Sequence, residues 1–257
     1  MRTRIIAVAN HKGGVGKTTT VASLGSILSQ KGYRVLLVDL DAQANLTSSL
    51  LSDYEGCSIY EALTGKAEVL PEVTVSDTLR LVPASLTLAM IDVELSTAIA
   101  RESILKDILE KATISDRYDY VLLDCPPSLG LLTLNAFTAS TDIIIPLVSE
   151  VLPFKGLTMI NSFISMVKRK LNPHAHITGI LITRWEGSKL SKGIEGKLRA
   201  TVGDLVFQTK IRKNIRLAEA PLESRNIMDY DSSCNGAKDY QQFAEEFLGR
   251  MTQTKED

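Results

Sequence analysis

Short runs of uninterrupted aliphatic residues alternate along this chain with longer stretches whose apolar positions recur every three or four residues. The first run, Ile5–Ala9, leads into a glycine-rich turn and then a helical stretch from Lys17 to about Lys31, closed by Gly32. A second run, Arg34–Asp41 (RVLLVDLD), follows at once. Its near-continuous aliphatic character is that of a parallel strand covered on both faces. Further runs at Leu79–Pro83, Tyr120–Asp124, Asp142–Val148 and Ile177–Thr183 are separated by helical periodicity, as in Ile91–Lys111 and Gly156–Leu171. The alternation predicts an α/β fold: a doubly wound, mostly parallel sheet flanked by helices. Residues 52–78 are less regular and read as a surface excursion, and helical signal returns over Gly236–Arg250. With no internal repeat or linker, residues 1–250 read as one domain and 251–257 as a polar, frayed tail.

Composition alters this picture little, because 44% hydrophobic and 23% charged residues are ordinary for a globular chain. No apolar run reaches the roughly 18 residues that span a bilayer, and the first residues lack the order of a signal peptide. A cytoplasmic location with no membrane contact is the expectation. Cys57, Cys125 and Cys234 are odd in number and far apart, which argues against a disulfide framework or a paired-cysteine metal site. A net charge of −1 seems to disfavour nucleic acid, but the charge is uneven: Arg184–Arg216 holds nine Lys/Arg against three Asp/Glu, a local net of +6. Such a region suits an electrostatic docking face, although charge runs are also common on merely solvated surfaces.

The chemistry concentrates in Lys12-Gly13-Gly14-Val15-Gly16-Lys17-Thr18-Thr19, which follows a strand and opens a helix. The glycines let successive N–H groups turn toward phosphate oxygens, and the helix adds its positive end. Lys17 would place an ammonium on the β and γ phosphates, and the Thr18 hydroxyl would coordinate Mg²⁺. The usual loop begins with glycine, whereas this one begins with Lys12. Asp39 and Asp41 close the second strand at its C-terminal end, where wound sheets place ligands, although an aspartate there also makes a good helix cap. Tyr118–Asp124 (YDYVLLD) ends another strand in a carboxylate.

The loop KGGVGKT resembles the deviant Walker A box of the group that includes the ParA and MinD ATPases and the nitrogenase iron protein, a branch of the P-loop NTPases. The resemblance implies that Lys12 reaches the nucleotide of a partner subunit, so that ATP is shared across a homodimer. An added cation of this kind acts as an arginine finger does. It also implies that Asp41 orients the attacking water, that Asp39 stands near the Mg²⁺ shell, and that Asp124 binds Mg²⁺ through water. Cys125-Pro126-Pro127-Ser128-Leu129-Gly130 matches the group's switch II, with Cys125 read as a packed thiol.

Asn214-Ile215-Arg216-Leu217-Ala218-Glu219-Ala220-Pro221 is similar to a segment of the Soj-like ParA branch, and the resemblance covers nearly the whole chain. In that branch a proline and an asparagine ahead of this box lie around the adenine. Here Asn214 is kept and Arg212 stands where the proline would be. Arg216 matches a basic residue that contributes to DNA binding, and Lys189 is nearest to a second. The resemblance therefore implies a slow Mg²⁺-dependent ATP hydrolase in chromosome or plasmid partition. It would dimerise with ATP, bind double-stranded DNA without sequence preference, associate with the nucleoid, and be stimulated by a ParB-type centromere-binding partner. The alternatives are a MinD-like membrane-associated ATPase, an iron–sulfur protein of the same superfamily, and a non-enzymatic nucleotide-binding adaptor. The polar tail 251–257 argues against the first, and the lack of a partner for Cys125 against the second.

Overall fold

A computed structural model describes residues 3–149 and 153–253, without the side chains of residues 153–155 and 253. Eight strands form one sheet: β1 (Arg4–Val8), β2 (Val35–Asp39), β3 (Val73–Ser76), β4 (Leu79–Val82), β5 (Tyr120–Asp124), β6 (Asp142–Val148), β7 (His176–Trp185) and β8 (Val206–Arg212). Their order across the sheet is β3-β4-β2-β5-β1-β6-β7-β8. All neighbours run parallel except β3, which pairs antiparallel with β4. The helices are α1 (Lys17–Gln30), α2 (Asn45–Leu50), α3 (Ile59–Leu63), α4 (Ile91–Glu94), α5 (Ile104–Lys111), α6 (Ile114–Arg117), α7 (Leu131–Ala139), α8 (Pro153–Lys170), α9 (Lys189–Val202), α10 (Arg216–Glu219), α11 (Ile227–Asp231) and α12 (Asn235–Gln253).

The aliphatic runs form strands because alternate residues of each feed separate cores. Ala7, Leu36, Val38, Val121, Leu123, Ile143 and Ile145 point into one core. Ile6, Val8, Val35, Leu37, Leu122 and Ile144 point into the other, beneath α1 and α12. All five residues of β2 are buried, as a strand covered on both faces requires. Each fully buried leucine-sized side chain contributes roughly 2 kcal/mol. An aromatic cluster closes the second core, with Phe243 of α12 set edge-on to Phe207 of β8 at 4.9 Å.

Four features differ from the sequence reading. The expected helix Ile91–Lys111 is broken into α4 and α5, joined through a turn at Ala100, which has φ 50°. Strand β8 lies in the basic region; its polar Gln208, Lys210 and Arg212 hid a strand that is covered on one face and sits at the sheet edge. The irregular 52–78 stretch contains α3, closed by a reciprocal Ser58–Glu61 capping box, and the antiparallel β3. Finally, α12 continues past residue 250 to Gln253, because Met251 is 1% exposed and packs in the aromatic core one turn beyond Phe247. Residues 254–257 of the expected tail lie outside the described residues.

Candidate functional site

The strand order reverses about β1: β5 and β2 lie on one side, β6 and β7 on the other. The crevice at such a switch point is where wound sheets hold ligands, and the glycine loop leaves β1 into it. Asn10 anchors the loop's base, donating to the Pro146 carbonyl at 2.8 Å and accepting the Lys12 N–H at 3.1 Å. Gly14 and Gly16 take φ of 70° and 85°, a conformation that strains residues with a Cβ. Thr183, at the end of β7, donates to the Val15 carbonyl at 2.8 Å and fixes the loop from the opposite strand.

Gly16 caps α1 without a side-chain acceptor, and no acid sits in the first turn of α1. The first N–H groups of α1 therefore remain available to an anion. Lys17 is 7% exposed and its ammonium donates to the Lys12 carbonyl at 3.2 Å. Burial lowers its pKa, while Asp124 and Asp41 work in the opposite sense. Thr18 and Thr19 are half-buried and line the same crevice, while Lys12 is exposed at its rim.

Three carboxylates converge opposite the loop, and each is held differently. Asp39 is fully buried, and its oxygens accept from the Thr47 N–H at 2.9 Å, the Thr47 hydroxyl at 2.8 Å and the Asp41 N–H at 3.1 Å. Burial raises its pKa to about 6 against those hydrogen bonds. Asp39 thus shapes the loop from β2 into α2, a capping task that engages both its oxygens. Asp41 is half-buried and accepts the Gln43 N–H at 3.0 Å.

Asp124 is 1% exposed, and neither of its oxygens has a hydrogen-bond partner of standard geometry. The Thr18 hydroxyl lies near enough to favour its ionised form without meeting that geometry. Burial, and then the Asp39 charge, push its pKa well up. An unpartnered buried carboxylate beside a threonine hydroxyl, with space for phosphates, is a donor set that fits Mg²⁺, which takes one or two carboxylates plus phosphate and water oxygens. Among the described residues no cluster of three or more His, Cys, Asp or Glu could cage a metal without such help. Cys125 is buried, and burial raises its thiol pKa, the opposite of an activated nucleophile.

From the loop a cavity of about 800 Å³ extends past Asp41 to a second wall made by Arg212–Ile215, Pro221 and Leu222. That size suits a nucleotide-sized ligand. Asn214 lies in this wall, and its side chain accepts the Arg216 N–H at 2.8 Å. Arg212 also lines the wall, but its guanidinium is turned to Asp239 at 2.6 Å.

The basic region divides in two. Lys210 and Arg199 share Glu195, Lys213 pairs with Glu186, and Arg216 pairs with Glu219 at 2.8 Å and Asp231 at 3.6 Å. Arg184, Lys189, Lys192 and Lys197 make no ion pair among the described residues and are exposed, the three lysines on the solvent face of α9. No helix among the described residues is long and apolar enough to cross a membrane.

Sequence reading did not single out Asn10, Thr183, Asp239 or Tyr240 as site residues. Asn10 adjoins the loop and Thr183 ends a recognised strand, so position alone pointed to them. Asp239 and Tyr240 sit in a helical stretch with no local signal of a site.

Comparison with known proteins finds relatives of the same fold over nearly the whole chain. A family model described as an AAA domain matches residues 3–177. The chain is 40% identical to the sporulation initiation inhibitor protein Soj of Bacillus subtilis (strain 168), over 95% of this chain and 97% of that protein. It is 39% identical to the chromosome-partitioning ATPase Soj of Treponema pallidum (strain Nichols), over 96% and 98% of the two chains. Among solved structures, cobyrinic acid a,c-diamide synthase from Mycobacterium smegmatis with a bound ATP analogue and magnesium superposes with a TM-score of 0.83. That neighbour shares 36% identity over 97% of this chain and 96% of its own.

Proposed function

The chain belongs to the family of Soj and ParA chromosome-partitioning ATPases, and from that premise we propose that it is an ATP-switched dimer that binds DNA without sequence preference. Hydrolysis, stimulated by a ParB-type centromere-binding partner, resets it. The observation that carries the nucleotide half of this reading is the buried, unpartnered carboxylate of Asp124 facing Thr18 and Lys17 across an uncapped helix start. Mg²⁺, when bound, supplies charge neutralisation between the phosphates and the protein's carboxylates.

Each residue then has a task. The loop N–H groups from Gly13 to Thr19, with Val15 fixing the backbone, hold phosphate oxygens, and Lys17 sets its ammonium against the β and γ phosphates. Thr18 and Asp124 hold the cation. Asp39 stays outside the cation's direct contacts and orders the 40–47 loop, which presents Asp41 to the attacking water. Lys12, exposed at the rim, extends to the nucleotide of the second subunit and stabilises charge on the transferred phosphoryl group. Asn214 meets the base.

DNA binding follows from dimerisation. One copy offers few phosphate contacts, whereas a dimer doubles the exposed lysines of α9 in one rigid body and multiplies affinity. No base-reading module appears among the described elements, so contacts to phosphates carry the binding. The synthase name of the structural neighbour denotes another reaction on this frame; likeness of fold transfers the nucleotide cradle, not the acceptor.

The deciding experiment measures binding to two unrelated duplexes with ATP, ADP or no nucleotide across a salt series. Salt-sensitive binding to both duplexes with ATP alone supports the switch. ATP hydrolysis without DNA binding in any state would leave an ATPase and remove partition.

A further inference from the structure

Helix α12 supports the cavity through two adjacent residues, Tyr240 in its lining and Asp239 behind Arg212. Tyr240, 1% exposed, places its hydroxyl 3.1 Å from that of Thr20, which donates to the Gly16 carbonyl at 2.7 Å, so this residue braces the phosphate end. Asp239, 6% exposed, braces the opposite wall. Its Oδ2 accepts the Arg212 backbone N–H at 2.9 Å and Nε at 2.9 Å, and its Oδ1 accepts Nη2 at 2.6 Å. Arg212 is the last residue of β8, and the turn it opens carries Asn214 and Ile215 along the cavity wall. Lys213 continues the restraint, donating its backbone N–H to the Trp185 carbonyl at 3.1 Å.

A proline at position 212, as in the family this chain resembles, would fix the turn through its ring and offer no N–H. Arginine has no such constraint, and here a charge-assisted fork to a buried carboxylate, together with the backbone N–H, does that work. We propose that Asp239 is a positioning residue for the base-binding turn: acting through Arg212, it sets where Asn214 and Ile215 stand against the base of a nucleoside triphosphate. The guanidinium of Arg212 points at Asp239, so Arg212 acts through the geometry of the turn instead of touching the base. The inference rests on the nucleotide reading of the cavity given above.

The grip on the triphosphate belongs to separate elements, the glycine loop and the start of α1, so the two can be measured apart. ATP and inorganic tripolyphosphate are titrated, each with Mg²⁺, into the full chain as wild type, Asp239→Asn and Arg212→Gln. Asp239→Asn is expected to weaken ATP about tenfold, the weight of one lost charge-assisted hydrogen bond. Tripolyphosphate affinity should stay within about twofold, because the loop is independent of the turn. Arg212→Gln keeps the backbone N–H and should fall between wild type and Asp239→Asn. Unchanged ATP affinity in both variants overturns the proposal, as does an equal loss of both probes, which marks general damage. Wild-type chain that binds neither probe refutes the nucleotide reading itself, an outcome distinct from failure of the clamp.

Discussion

Asp39 and Asp124 end neighbouring parallel strands directly opposite one another, and both are buried. Burial raises both pKa values, and at Asp124 the Asp39 charge adds to the rise. The stabilisation such groups give is complete below the unfolded value of 3.8 and is lost as pH rises through the folded value, which is about 6 for Asp39 and well above 3.8 for Asp124. The ligand-free chain should therefore lose thermal stability as pH rises through about 6, and so melt lower at pH 8 than at pH 5. Asp124→Asn should flatten that slope, raise the midpoint at pH 8, and abolish the further stabilisation given by Mg²⁺ with ATP. Thermal unfolding at both pH values, with and without Mg²⁺ and ATP, checks this; an unaltered slope in Asp124→Asn would place the strain elsewhere.

Lys17 and Lys12 are five residues apart, yet one is buried and the other exposed. Their losses should differ accordingly. Lys17→Ala removes the only cation of the loop placed inside the crevice and should abolish measurable ATP binding. Lys12→Ala should leave ATP binding within about threefold, because a rim charge contributes little to its own subunit, while preventing the ATP-dependent dimer. Nucleotide titration and sedimentation together distinguish the two. A Lys12→Ala chain that still dimerises with ATP would deny the crossing lysine.

The Asp41 carboxylate holds the Gln43 N–H alone within its loop, so its removal leaves the Asp39–Thr47 brace untouched. Asp41→Ala should keep ATP and Mg²⁺ and slow hydrolysis by at least about a hundredfold, the usual weight of a residue that positions or deprotonates water. The dimer should then stay on DNA. Loss of ATP affinity in this variant would instead make Asp41 a binding residue.

Much of this frame was legible in the sequence because each signal was local. Buried parallel strands write themselves as aliphatic runs, and β5 and β6 fall where the pattern placed them. That the loop, Asp41 and Asp124 come together was legible from their positions at strand ends. What stayed hidden depended on contacts across the chain. The β8 strand reads as a charge run because Lys210 and Arg212 are neutralised by Glu195 and Asp239, 15 and 27 residues away. Asp39, read as a cation neighbour, also holds Thr47, and part of the +6 of the basic region is consumed by ion pairs of Arg212 and Arg216 with acids beyond it, which no local count reveals.

That consumption relocates the expected DNA face. Arg216 is held by Glu219 and Asp231, whereas Lys189, Lys192 and Lys197 on α9 have no such partners among the described residues. A phosphate must compete with two carboxylates for Arg216 but with water alone for the lysines. Changing the three lysines to glutamine removes six charges from a dimer. If each neutralises one phosphate, the slope of log affinity against log salt should shrink by about five. Arg216→Gln removes two charges that are already partly satisfied and should shrink it by about one or less. Both variants should retain ATP-dependent dimerisation, since neither site belongs to the glycine loop. If Arg216→Gln abolishes DNA binding while the lysine triple variant keeps the wild-type slope, the α9 face is excluded. The ion pairs of Arg216 would then have to open on DNA, exchanging Glu219 and Asp231 for phosphate.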